Sequence, residues 1–411
     1  MQSTVNISAA TQHYLQLEEH FGAHNYHPIP VVLNRGEGVY VWDVEGKRYY
    51  DFLSGYSAVN QGHCHPKILE TFINQARKLT LTSRAFHNDL MGEFAKYITT
   101  LFGYDKVLPM NTGVEAVETG IKLCRKWAYE VKGIPDNKAV ILTCDGNFHG
   151  RTTTIVSFSS DPSSTTHFGP FTPGFEIIPY NDIPALERAL ANKHVAGFLV
   201  EPIQGEAGVV VPDAGYLKKA KQLCEQANVL FIADEIQTGL CRTGKMLACD
   251  HEQVRPDILL LGKALSGGMM PVSAVLADDE IMLTLKPGEH GSTYGGNPLA
   301  CATAITSLQI LKDEKMAENA VMMGELLRKE LNALGSKHIG LVRGKGLLNA
   351  IVINHINSEA AWALCMQLKD NGLLAKPTHG DKIRFAPPLV ITKEQVKECV
   401  GIIGDALSCL D

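Results

Sequence analysis

Between about residues 66 and 300 the chain alternates nearly continuous apolar runs with amphipathic stretches, and no other feature restricts its fold as tightly. The runs are Ala139–Cys144, Val195–Val200, Val229–Ala233, Ile258–Leu261 and Val272–Ala277. A strand with one wet face alternates polar and apolar residues, whereas a run like Val195–Val200 needs cover on both faces. Val114–Tyr129 and Tyr216–Gln226 carry apolar residues at helical spacing and supply that cover. The expectation is an α/β protein with a mostly parallel sheet between helical layers. Ligands of such sheets sit at the carboxyl ends of the strands.

Two of the runs end in charge. Val229–Ala233 leads into Asp234-Glu235, and Ile258–Leu261 leads into Gly262-Lys263, with Gly267-Gly268 shortly after. A salt bridge between strand ends is the plain reading. The alternative is pyridoxal-phosphate chemistry, in which a lysine bonds the cofactor aldehyde and a carboxylate keeps the pyridine nitrogen protonated.

Composition narrows the remaining classes. A chain of 411 residues suits a large domain plus a smaller one, and 45% hydrophobic with 20% charged residues describes a soluble globular protein. A net charge of -6 without a basic block offers no footprint for nucleic acid. No apolar run approaches the roughly 20 residues of a membrane span. The start, Met1 to Ser8, has neither a basic nor an apolar leader region, so a cytoplasmic protein is expected, with a mature mitochondrial form left open. Ten scattered cysteines without a Cys-x-x-Cys pair argue against a disulfide framework. His63-Cys64-His65 has no second ligand pair, and no metal is expected there.

The ends of the chain read differently from its middle. Ala9 to His20 is a short amphipathic helix, and residues 22–30 form a Gly/Pro loop. Val39–Val44 and Lys47–Phe52 flank Glu45-Gly46 as a hairpin. After Asn297-Pro298 come two long helices, strands at Gly346–Asn354 and Lys382–Phe385, and a last helix from Thr392 to Leu410. The expected division is an N-terminal segment over 1–50 packing with the small domain, a large domain over 51–300, and a small α/β domain over 301–411.

Four further stretches fit a phosphate-bearing ligand. Asn111-Thr112-Gly113-Val114 opens a helix, where free N–H groups and the dipole favour an anion, although an ordinary N-cap reads the same way. Phe148 and Arg151 follow a strand end; an aromatic can stack on a flat ring and an arginine can grip a carboxylate in two-pronged fashion. Core packing and a surface cation are the bland alternatives for those two. Glu206 lies on a glycine-flanked loop after Val195–Val200, and Ser292-Thr293-Tyr294-Gly295-Gly296 is a hydroxyl-rich loop able to donate to phosphate.

These residues together resemble the fold-type I, class III pyridoxal-phosphate aminotransferases over nearly the whole chain. The signature is Asp234-Glu235-Ile236-Gln237-Thr238-Gly239 with Lys263 twenty-nine residues beyond Asp234. Gly22–Pro30, Tyr56–Pro66 and Gly288–Pro298 look most like the ornithine-using branch. The resemblance implies a large domain with a sheet of the seven-stranded type. It makes Lys263 the Schiff-base lysine and proton shuttle, places Asp234 on the pyridine nitrogen, Gln237 on the ring 3′-oxygen and Phe148 against the ring. Gly113 and Val114 would hold the phosphate. Ser292 and Thr293 would reach the phosphate of a neighbouring subunit, implying at least a homodimer. Arg384 would grip the α-carboxylate of glutamate or 2-oxoglutarate.

Ornithine carries two amines, and the resemblance implies how one is chosen. Glu206 would pair with Arg384 while ornithine is bound, and Arg151 with Tyr26 would anchor the distal end, Tyr56 lining the same pocket. Cys241, Met269-Met270 and His149 depart from the family pattern, which bears on loop geometry rather than on the reaction. Other readings are a class III enzyme acting on N-acetylornithine or 4-aminobutyrate, an aminomutase, racemase or decarboxylase, and a silent binding homologue.

Overall fold

The computed structural model describes residues 8–411; Met1 to Ile7, on which most of the expectation about a leader and the first part of the 1–50 segment rest, lie outside the described residues. Among the described residues fifteen strands form three sheets. In chain order they are β1 (Leu33–Glu37), β2 (Tyr40–Asp43), β3 (Arg48–Asp51), β4 (Lys106–Met110), β5 (Val140–Cys144), β6 (Phe175–Ile178), β7 (Val195–Val200) and β8 (Leu230–Asp234). There follow β9 (Ile258–Leu261), β10 (Ser273–Ala277), β11 (Ile339–Lys345), β12 (Leu348–Ile353), β13 (Leu373–Leu374), β14 (Lys376–Thr378) and β15 (Lys382–Phe385).

The central sheet has seven strands in the order β4-β10-β9-β8-β7-β5-β6. β10 runs antiparallel to both of its neighbours, while β5 to β9 pair in parallel. Every residue of β7, β8, β9 and β10 is buried, which is why these strands read as unbroken apolar runs. The two strands that the apolar pattern did not reveal are the edges. β4 (Lys-Val-Leu-Pro-Met) carries a proline and an exposed lysine, and β6 exposes Glu176 and Ile177. In the small sheet, β11-β12-β15-β14, the single strand expected over Gly346–Asn354 is β12 preceded by a tight turn at Gly346 (φ +55°). β13 adds in parallel to β3, tying the N-terminal hairpin to the C-terminal third of the chain.

Register fixes the site. Asp234 is the last residue of β8, paired opposite Leu260 of β9, and Lys263 lies two residues beyond the end of β9. Adjacent parallel strands therefore deliver carboxylate and amine to one rim. The helix Gly113–Glu130 starts at the same rim, closed by a capping box between Thr112 and Glu115, and buries nine residues against the sheet.

Candidate active site

A cavity of about 210 Å³ opens at this rim, lined by Gly113, Val114, Phe148, His149, Gly150, Glu201, Glu206, Asp234, Ile236, Gln237, Thr238 and Lys263. Seven of the residues singled out in the sequence thus come together: Gly113, Val114, Phe148, Glu206, Asp234, Gln237 and Lys263. Lys263 holds a left-handed backbone (φ +45°), a strained conformation for a non-glycine residue that clusters at functional sites. Burial pushes its amine below the ordinary lysine value, opposed by the charges of Glu206 and Asp234. A buried lysine with a lowered proton affinity is an accessible nucleophile.

Two glycines shape the walls. At Gly150 (φ +122°) a Cβ would lie 2.5 Å from Cγ2 of Val114, so the loop after β5 presses onto the helix start only because that side chain is missing. At Gly205 a Cβ would lie 1.5 Å from Oε1 of Gln237, so a side chain there would displace the Gln237 amide from its present place.

At one end of the cavity, Asp234 accepts hydrogen bonds from His149 Nδ1 (2.7 Å) and from the Ile236 N–H (3.1 Å). At the other, Arg384 of β15 donates through Nη1 to Glu206 Oε1 at 2.7 Å. The arginine is 2% exposed. Burial alone would raise the Glu206 carboxyl, but the charge and hydrogen bond of Arg384, with help from Gln237, hold it below the usual value. Gln237 donates Nε2 to Glu206 (3.0 Å) and accepts from Arg384 (3.3 Å), so its amide is engaged with the ion pair while still lining the cavity. Arg384 Nε is buried without a partner, a donor that a substrate carboxylate would satisfy.

Tyr56 and Tyr26 sit farther out. Ser54 to Ser57 form a left-handed turn, and from it the ring of Tyr56 lies 5.0 Å below the Arg384 guanidinium. Tyr26 is 59% exposed; its hydroxyl accepts from Arg151 Nη1 at 3.2 Å. Tyr26 and Tyr56 share a second, mostly apolar cavity of about 450 Å³ with Lys376. Arg151 also lies over the Phe148 ring, 5.5 Å from its centre. Ser292 and Thr293 do not line the first cavity: Ser292 Oγ accepts from Asn111 (3.1 Å) and from the Gly295 N–H (2.8 Å), and Thr293 is exposed.

Glu201 is the site residue that sequence reasoning passed over, and His149 stood there only as a departure bearing on loop geometry. Glu201 follows directly on the apolar β7, much as Asp234 closes β8, so a similar signal was present twice. Of the departures, Cys241 stands at φ +72°, which accounts for glycine being usual there, and burial pushes its thiol up to about 12, far from a reactive thiolate. His63 and His65 bond Asp51 and Glu314, and among the described residues no group of three or more His, Cys, Asp or Glu is placed to hold a metal. Among the same residues no helix is long and apolar enough to cross a membrane.

The cavity fits pyridoxal phosphate by its donor set. A helix N-terminus, a buried carboxylate with a fixed orientation and a buried amine all line it. The family model for class-III aminotransferases matches residues 21–407. An ornithine aminotransferase, mitochondrial, of Rattus norvegicus is 64% identical over 97% of this chain and 91% of its own. A solved ornithine aminotransferase from Toxoplasma gondii, with pyridoxal phosphate partly occupying its active site, superposes with a TM-score of 0.95 at 50% identity, covering 97% of this chain and 94% of its own. An acetylornithine aminotransferase from Elizabethkingia anophelis gives 0.89 at 59% identity over 97% and 99%.

Proposed function

The chain belongs to the class-III aminotransferases, and from that premise we propose that it transfers the δ-amino group of ornithine to 2-oxoglutarate. The products are glutamate and glutamate 5-semialdehyde, which cyclises to pyrroline-5-carboxylate. The observation that carries the reading is the Glu206–Arg384 pair at the far end of the cavity from Asp234. Pyridoxal phosphate, when bound, supplies an aldehyde that exchanges amines and a protonated ring that withdraws electrons from the carbon losing a proton.

This chain's own groups do the rest. The N–H groups of Gly113 and Val114 would hold the phosphate, Phe148 would stack on the ring, Asp234 would keep the ring nitrogen protonated, and Gln237 would reach the ring oxygen. Lys263 anchors the cofactor at rest and moves a proton at the reacting carbon of the substrate. Arg151 takes the α-carboxylate of ornithine and Tyr26 its α-amine, which leaves the δ-amine to enter. While Glu206 occupies Arg384, no free guanidinium draws the α-carboxylate inward. A dicarboxylate oxo acid replaces Glu206 as the partner, so the buried arginine is never left without an anion; leaving it so would cost several kcal/mol. Ser292 and Thr293, in this reading, serve the phosphate site of a second copy, which makes the working unit a homodimer or larger. The proposed compartment is the cytosol, with the mitochondrion as the alternative that the rat relative suggests.

A second reading has its own support: N-acetylornithine as substrate, from the 59% identity to the Elizabethkingia enzyme. Acetylation removes the cation that Tyr26 is placed to meet. Purified enzyme given 2-oxoglutarate with each amine in turn decides between them. Turnover of ornithine well above that of N-acetylornithine supports the proposal, and the reverse order replaces it.

A further inference from the structure

Asp51 closes β3, and the chain then turns through Ser54, Gly55, Tyr56 and Ser57 with φ of +51°, +55°, +61° and +71°. L-residues enter this left-handed region singly, because their Cβ crowds the neighbouring carbonyl, and of the four only Gly55 escapes that penalty. A run of this kind persists only where its surroundings hold it. Within the turn, the Tyr56 N–H donates to the Leu53 carbonyl (2.9 Å) and the Ala58 N–H to that of Ser54 (2.8 Å). Ser57 Oγ is buried without a partner, so that hydroxyl adds nothing to the turn.

The turn is clamped from two sides. Asp51 Oδ1 accepts from the N–H groups of Leu53 and Ser54, both at 2.8 Å, which fixes the entry to the turn. The other oxygen, Oδ2, lies 2.7 Å from His63 Nε2. A carboxylate only accepts, so that nitrogen carries the hydrogen. His63 is itself anchored: its backbone exchanges two hydrogen bonds with Gly38 (2.8 and 3.0 Å), and its ring lies so close to Gly36 that a Cβ there would stand 2.9 Å from Nδ1. On the far side Ser54 Oγ donates to the Ala386 carbonyl (2.7 Å), and the Ala386 N–H donates to the Phe52 carbonyl (2.8 Å). Ala386 is two residues beyond Arg384, so the turn is tied to the segment that bears the arginine. What the turn delivers is the Tyr56 ring, 5.0 Å from the guanidinium. An aromatic face attracts a guanidinium and leaves its N–H edge free for an anion.

We propose that Asp51, steadied by His63, is a positioning residue for substrate binding: it holds the strained turn that keeps the Tyr56 ring under Arg384 while the arginine exchanges one anion for another. The inference rests on the reading of Arg384 and Tyr56 given above. If the turn relaxes, the Cα–Cβ bond of Tyr56 swings and the ring leaves the guanidinium. The same carboxylate has a competing task, since burial pushes the Arg242 guanidinium down to about 9 against the charge of Asp51. Arg242, however, donates to Asn60 Oδ1 and to the carbonyls of Leu347 and Pro387. A clamp needs an acceptor at Oδ1, whereas support for Arg242 needs a charge, and substitution tells the two apart.

Four variants of the holoenzyme test this. Asp51→Ala removes the acceptor, and Asp51→Asn keeps an oxygen for the two N–H groups while dropping the charge. Asp51→Ala combined with Ser57→Gly removes the clamp but eases the turn, and Tyr56→Leu removes the ring. Each is checked for wild-type circular dichroism, and kcat and KM are then measured for ornithine and for 2-oxoglutarate. Asp51→Ala is expected to raise both KM values about tenfold with kcat within about twofold, because Lys263 and Asp234 at the other end are untouched. Asp51→Asn stays within about threefold of the parent, and so does the double variant, because glycine takes a positive φ without penalty. Wild-type KM values for Asp51→Ala overturn the proposal. An Asp51→Asn enzyme as impaired as Asp51→Ala does so too, by giving the carboxylate its role through charge, and so does a double variant without recovery. Should Asp51→Ala not fold, the double variant must regain the fold as well as KM, and its failure to fold overturns the proposal. Tyr56→Leu separates the two readings: unchanged KM values there mean that the reading of the pocket fails, whereas raised values beside a wild-type Asp51→Ala strike the clamp alone.

Discussion

The two ends of the cavity are built from the same kinds of group and held in opposite ways. At the Asp234 end, carboxylate, imidazole and amide N–H come from the central sheet and its loops, and each bond lies within that one sheet's rim. At the Arg384 end the cation comes from β15 of the small sheet and its carboxylate from the loop after β7, so a single ion pair spans two sheets. The first arrangement holds the carboxylate by a donor on each oxygen and keeps one geometry. The second has one strong bond, an unpartnered Nε and a breakable junction, which suits a group that must exchange an internal anion for a substrate's. In the proposed reading, permanence at one end and exchange at the other let one pocket handle both a fixed cofactor and two unlike substrates.

Substitutions at the permanent end should act on chemistry and on every substrate alike. Lys263→Ala removes the nucleophile and proton carrier; turnover is expected to fall about 10⁴-fold or more, with loss of the visible absorption of the bound cofactor. Asp234→Asn leaves the ring nitrogen without its anion and should lower kcat by roughly 10²–10³-fold for ornithine and glutamate equally, measured in separate half-reactions. An effect confined to one substrate would contradict the comparison.

At the exchanging end, the consequence should depend on pH. Glu206 is held below its ordinary value of 4.5, so its pairing stabilises the fold above that pH and the contribution is lost as pH falls through the lowered folded value. Glu206→Gln is therefore expected to be less stable than the parent by about 2 kcal/mol near neutrality in denaturant unfolding, with the gap closing below about pH 4. A gap that persists in acid would mean the ion pair is not its source. The smallest effect belongs to the rim: Tyr26→Phe removes an exposed hydroxyl that accepts from Arg151 and should raise KM for ornithine about fivefold, while leaving KM for 2-oxoglutarate unchanged.

The permanent end was largely legible in the sequence, and the reason is physical. Strands buried on both faces must be apolar throughout, so a charge at their ends stands out; Asp234 and Lys263 were visible for that reason. Edge strands β4 and β6 were hidden because a strand with a wet face looks like a loop with a few apolar residues. Glu201 carried the same strand-end signal as Asp234 and was overshadowed by Glu206 five residues later. His149 stood out only as a departure from the family pattern, and its contact with Asp234 could not be read: the partner lies 85 residues away, and only the pairing of β5, β7 and β8 brings them together. The Glu206–Arg384 pair, 178 residues apart, was reached by family likeness alone, since no local pattern links a loop of one sheet to a strand of another.

The most direct test follows the nitrogen. Ornithine carrying an isotopic label on its δ-nitrogen is given to the parent enzyme and to Glu206→Ala with 2-oxoglutarate, and the label in glutamate is measured. The account predicts that the parent passes on essentially only labelled nitrogen, whereas freeing Arg384 admits the α-carboxylate and brings unlabelled α-nitrogen into the product, the preference dropping about thirtyfold. Glutamate equally labelled by both enzymes would show that the choice of amine is made elsewhere.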